Sequence, residues 1–224
     1  TQSQAHANTR RDWGFRHAWN LNLSVPKALV EEVGGFNCGI ANCCYEDVEL
    51  AYRIATEFDA PVIFNPAAIA VHDHQMSPND YLAREYRLGY AVFGFARLAP
   101  EGAVAVFGHD PASPDALAYA KQYVAVEGRR EQTLRTQFAS IAAWSADTHL
   151  TTGSPPDAIS EFVTERDPAD GHPDSQLIRL AYEFHLPLKR LMFRRGLLDA
   201  AEGRRVAGLY HADDTQRPAT TLHQ

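Results

Sequence analysis

Glu46 and Asp47 stand side by side in "CCYEDVEL" (43–50), immediately ahead of an apolar-periodic stretch. Acidic residues at a helix start accept from unpaired backbone N–H groups and face the positive end of the helix dipole, so capping is the first role for this pair. Downstream, His72 and His74 close the segment "PVIFNPAAIAVHDH" (61–74). Two apart in an extended chain, they point to the same face and can act together. Cys38, Cys43 and Cys44 lie within seven positions. A Cys-x4-Cys-Cys run offers thiolates to a metal, and with the two histidines it defines one functional class, a Cys/His metal-binding protein, although no second Cys pair completes a zinc site. An odd cysteine count is no disulfide framework and predicts a reducing, cytoplasmic compartment.

Positioning these residues requires elements, and the chain spells out several. "HAWNLNLSVP" (17–26) alternates as a strand with Trp19, Leu21 and Leu23 on one face. Pro26 suits the first turn of a short helix that stops at Gly34-Gly35, a pair that predicts a turn with positive φ. A helix is expected from about residue 46 to 58, with Val48, Leu50, Ala51, Ile54 and Ala55 on its apolar side and Glu49, Arg53 and Glu57 on the other. Residues 61–74 read as a buried β-segment interrupted at Pro66, and a helix rich in aromatic residues and arginine follows from about 79 to 98. After Pro100 two long helical patterns run over about 114–147 and 175–202, the second containing Pro187, which predicts a kink or a split. The stretch between them is turn-rich, and the tail from Gly203 is polar and expected to be disordered. Only two or three strands can be found, and a lone pair is marginal without further strands or covering helices.

Composition narrows the classes. In 224 residues, 45% are hydrophobic and 22% charged, values ordinary for a soluble globular chain. A formal net charge of −7 argues against a nucleic-acid binder. No run reaches the roughly 18 to 20 apolar residues that span a bilayer, and the first fifteen residues lack the apolar core of a signal peptide. "LKRLMFRRGLL" (188–198) is cationic and amphipathic, a pattern compatible with peripheral contact to an anionic inner membrane face, though a solvated helix face is the commoner reading.

Taken in order, "NLSVPKALVEEVGGFN", "YEDVELAYRI" and "PVIFNPAAIAVHDHQMSPNDYLAREYRLGYAVFGFAR" resemble the C-terminal half of the family 2 glycosyltransferase domain, the inverting enzymes with a GT-A fold. The resemblance covers about a third of the chain, residues 20–97; each motif is weak alone, and order and spacing carry the match. It implies an α/β fold: a partial GT-A domain over 1–99 lacking the N-terminal nucleotide-binding half, then a mostly helical extension over 100–202 and a tail over 203–224. It also implies transfer of a sugar from a nucleotide-sugar donor, most simply a UDP-sugar, to a hydroxyl of a glycan or lipid-linked acceptor in envelope or other glycan synthesis. By that motif Asp47 is the base that takes the acceptor proton, Glu46 binds acceptor hydroxyls, and Gly34 and Gly35 line the acceptor side. A carboxylate beside another acid in a partly closed cleft can have its proton affinity raised toward the working pH. His72, with His74, falls where the family places a metal or diphosphate contact, implying a divalent cation, Mn2+ or Mg2+. Trp19 and Trp13 offer ring faces to a sugar. The strand-rich half with its Asp-x-Asp motif has no counterpart here, and "HADD" (211–214) lies in the wrong place to replace it. The chain reads as a fragment of a longer enzyme, one half of a split enzyme or a degenerate remnant, with a missing N-terminal half or a homo-oligomer supplying the donor site. The competing class is a non-catalytic helical interaction or scaffold protein derived from such an enzyme.

Overall fold

A computed structural model describes residues 11–18, 20–40, 44–71, 76–151 and 173–207. Its α-helices are α1 (Lys27–Glu32), α2 (Glu46–Phe58), α3 (Pro78–Leu98), α4 (Pro100–Phe107), α5 (Pro114–Glu127), α6 (Glu131–Thr151) and α7 (Pro173–Ala201). Short 3-10 turns occupy Phe15–His17 and Gly128–Arg130. The helices expected around 46–58 and 79–98 form almost as drawn. The pattern over 114–147 is two helices, broken by the 3-10 turn at Gly128. Pro187 does not split α7, although it removes one helical hydrogen bond at a cost of about 3 kcal/mol. Leu188, Leu191 and Met192 beyond it are all buried, and their burial offsets that cost. Helix α4 carries no strong sequence periodicity and was not expected; Pro100 begins it, and it buries Ala103 against Phe95 and Ala96.

The α/β expectation, a partial GT-A domain, is overturned. Among the described residues there is no strand and no sheet; one isolated antiparallel bridge joins Asp12 to Ile63, with the Trp13 N–H donating to the Val62 carbonyl at 2.9 Å. The physical reason is that a strand is completed only by a neighbour. Residues 23–26 and 59–65 form no ladder apart from that bridge, and without a pairing neighbour they stay as coil. Apolar residues of the two expected strand segments remain uncovered: Leu21 is 67% exposed, Ile69 86% and Val71 79%.

The packed body is helical. The buried stripe of α3 runs through Leu82, Glu85, Gly89, Val92 and Ala96, spacings of three and four. Leu82 packs with Leu134 of α6 and Leu188, Leu191 and Met192 of α7. Val92 packs with Ala120 of α5 and Leu197 and Leu198 of α7. Helices α3 and α7 run in the same direction, since the pairings Tyr81–His185, Tyr86–Asp199 and Tyr90–Arg204 advance together. They meet backbone to backbone at glycine. A Cβ on Gly196 would lie 2.6 Å from the Tyr90 nitrogen and closer still to the Tyr86 carbonyl, and one on Gly89 would overlap the Phe193 carbonyl. The apolar side of "LKRLMFRRGLL" is therefore turned inward. Arg194 lies over the Tyr123 and Tyr119 rings at 4.4 and 5.0 Å, and Arg195 pairs with Glu131 at 2.5 Å. No described helix is long and apolar enough to cross a membrane.

Candidate functional site

The start of α2 is set by Tyr45. It takes the left-handed conformation, φ 70° and ψ −3°, which a non-glycine residue adopts only when something compensates. The compensation is burial of its ring, stacked on Phe95 at 5.3 Å with the planes 6° apart and edge-on to Phe107 at 5.6 Å. Burial, helped by the neighbouring Cys44 and Glu85, holds the Tyr45 phenol well above its ordinary pKa. Tyr45 thus anchors the entry to α2 on α3 and α4, and the next two residues are Glu46 and Asp47.

Asp47 is half-buried, and both of its oxygens accept backbone hydrogen bonds. Oδ1 accepts from the Val48 N–H at 2.8 Å, and Oδ2 accepts from the Asn20 N–H at 3.2 Å. The second bond brings residue 20 onto the helix N-terminus across 27 residues of chain. Asn22 continues the tie, its side-chain amide donating to the Ala68 carbonyl at 2.8 Å. Glu46 is also half-buried, and its Oε2 is shielded from solvent with no hydrogen-bond partner among the described residues. The site at α2 is thus a carboxylate fixed by two donors beside a second whose one oxygen awaits a donor. Such a pair can accept a proton or hydrogen bonds from hydroxyl groups.

Glu49 corrects the amphipathic reading of α2. Placed on the outer side by periodicity, it is 3% exposed. Arg53 donates to both of its oxygens, Nε at 2.7 Å and Nη2 at 2.8 Å, and to the Val33 and Gly35 carbonyls at 2.5 and 2.7 Å. This fork fastens the Gly34-Gly35 turn to α2. Gly34 and Gly35 have φ of 79° and 75°, the positive-φ turn the glycine pair predicts.

The structure therefore brings Glu46, Asp47 and the Asn20 N–H together and links Gly34 and Gly35 to the same helix through Arg53. Trp19, Cys43, His72 and His74 lie outside the described residues. Trp13 is engaged by its own neighbours, with Arg11 5.2 Å over its ring and Phe64 edge-on at 6.4 Å. Cys38 is exposed and Cys44 buried. No three His, Cys, Asp or Glu side chains among the described residues are grouped to hold a metal ion. Sequence reasoning missed Tyr45, Arg53 and the Asn20 N–H. Arg53 carried a signal, its i, i+4 spacing from Glu49, but that spacing equally describes a solvated pair. The chain matches no protein-family profile, no curated protein and no solved structure.

Proposed function

We propose that the chain serves an inverting glycosyltransferase as its acceptor-and-base portion. The observation that supports this best is the Asp47 carboxylate, held at the α2 N-terminus by the Asn20 and Val48 N–H groups, beside a shielded Glu46 oxygen that has no partner among the described residues. In this reading the reacting acceptor hydroxyl, part of a glycan or a lipid-linked sugar, donates to Asp47, and other hydroxyls of the same sugar donate to Glu46. Its oxygen attacks the anomeric carbon of a nucleotide sugar, most simply a UDP-sugar, as the carbon–oxygen bond to the diphosphate breaks. The proton passes to Asp47, and the electron pair leaves with the nucleoside diphosphate. The donor is held by the missing half of the domain, upstream in the same protein or on another polypeptide, or by a second copy of this chain. No group of side chains among the described residues fits a divalent cation. The reading rests on the side chains of α2 and requires no sheet.

The test is product analysis by mass spectrometry in cells expressing the chain from its own locus, comparing Asp47 with Asp47→Asn. Asparagine keeps the shape and an acceptor oxygen but cannot take the proton, so glycan or glycolipid product should fall by about 100-fold or more, with unchanged thermal unfolding. Undiminished product with Asp47→Asn refutes the proposal. A second reading, a helical interaction protein without catalysis, is favoured by the helices α4 to α7 that make up the chain after residue 100 among the described residues; it predicts that Asp47→Asn is silent.

A further inference from the structure

Residues of α3, α6 and α7, with Val206 and Ala207 beyond α7, line a cleft of about 480 Å³, within the range of small-molecule sites. Its apolar surface includes Leu82 and Met192, 2% and 5% exposed, with Ala83 at the lip. Its cationic groups are Arg87 and Arg135. The two arginines differ. Arg135 is held rigidly, Nε donating to Glu131 at 2.7 Å and Nη2 directed at the Met192 sulfur at 3.2 Å, so its guanidinium is already oriented over the apolar floor. Arg87 is exposed on α3; the nearby Asp80 carboxylate, its pKa lowered chiefly by the Ser77 hydrogen bonds and less by Arg87, is engaged in the capping box. Tyr86 also lines the cleft, but its hydroxyl is committed to Asp199 at 2.8 Å. The side-chain donors at this cleft are therefore the guanidinium N–H groups and the Asn79 amide at its edge, above a floor of Leu82 and Met192.

We propose that this cleft binds a single-chain anionic amphiphile, its carboxylate or phosphate head on Arg87 and Arg135 and its alkyl chain over Leu82, Ala83 and Met192. A guanidinium makes its strongest hydrogen bonds to an anionic oxygen, whereas the apolar floor gains only from a hydrocarbon. Two guanidinium groups repel a cation, and the apolar floor adds nothing for one. The site is separate from Asp47, and neither reading depends on the other.

Calorimetric titration of the full chain with octyl phosphate, octanoate, octanol and inorganic phosphate tests it. Octyl phosphate or octanoate should saturate one site with a Kd below about 1 mM, and whichever binds more tightly identifies the head group. Octanol and inorganic phosphate should each bind at least about tenfold more weakly, because each engages only half of the cleft. Arg87→Ala should weaken the anionic ligand about tenfold. Ala83→Trp, which fills the lip from an exposed position, should abolish its binding. Octanol binding as tightly as the anions, or no saturable binding of either anion, overturns the proposal on the unmodified chain, whatever the variants do.

Discussion

The α3–α7 crossing makes a prediction whose sign opposes local propensity. Replacing a helical glycine with alanine ordinarily stabilises a helix by about 0.8–1 kcal/mol. At Gly196 the new Cβ would lie 2.6 Å from the Tyr90 nitrogen, and ordinary contact begins at 3.4 Å. The helices would have to part by about 0.8 Å or more, and a gap of that size forfeits a quarter to a half of each dispersion contact it crosses. The neighbours that would lose contact are well buried: Val92 at 0%, Leu197 at 4% and Leu191 at 0% exposed. Overpacking of this kind costs about 3 kcal/mol where backbone rather than a flexible side chain must move, so the net loss for Gly196→Ala is about 2 kcal/mol. In a chain of this size that lowers Tm by roughly 4–8 °C. Gly94 supplies the control, since it lies on α3 with nothing within 4 Å of an added Cβ. Gly94→Ala should raise stability by about 0.5–1 kcal/mol. Gly89→Ala should behave like Gly196→Ala, and the double variant should cost less than the sum, because the second methyl enters space the first has opened. The assay is urea and thermal unfolding followed by circular dichroism. If Gly196→Ala stabilises the chain as Gly94→Ala does, the helices do not touch at glycine and the reasoning fails.

Arg53→Ala should destabilise the chain by about 3 kcal/mol, because it leaves the buried Glu49 carboxylate unpaired, and limited proteolysis should then cut faster near the released Gly34-Gly35 turn. The double variant Glu49→Leu/Arg53→Met should recover most of that loss in the same unfolding assay, since the buried charge is gone. Tyr45→Ala should cost about 3–5 kcal/mol by emptying the space against Phe95 and Phe107, whereas Tyr45→Phe should remain within about 1 kcal/mol of the parent. At Glu131, burial raises the carboxyl pKa, but hydrogen bonds and charge from Arg135 and Arg195 outweigh it and leave the pKa below its ordinary value of 4.5. A carboxylate with a lowered folded pKa stabilises above the unfolded value and loses that contribution as pH falls through the folded one. The stability difference between the parent and Glu131→Gln should therefore be full at neutral pH and shrink steadily below about pH 4.5; a difference that grows on acidification would refute the pairing.

Much of the local structure could be read from the residues alone. The spans of α2 and α3, the positive φ at Gly34 and Gly35, and the acidic pair at a helix start all follow from short-range rules, because a helix closes its hydrogen bonds within four residues and a turn within fewer. The extended segments could not be settled that way. "HAWNLNLSVP" and "PVIFNPAAIAV" have the composition of strands, but a strand's hydrogen bonds belong to a neighbour, and the neighbour is decided by the fold. Glu49 and Arg53 show the same limit on a helix, since i, i+4 spacing is identical for a solvated pair and for a buried fork that grips a distant turn. Gly89 and Gly196 look like weaknesses in helical patterns until each is seen against the other's backbone. The candidate site divides in the same way. The sequence determined that Glu46 and Asp47 would open a helix; only the tertiary structure brought the Asn20 N–H to Asp47 and seated Tyr45 on Phe95, because contacts between residues far apart in the chain are selected by packing and leave no local signature.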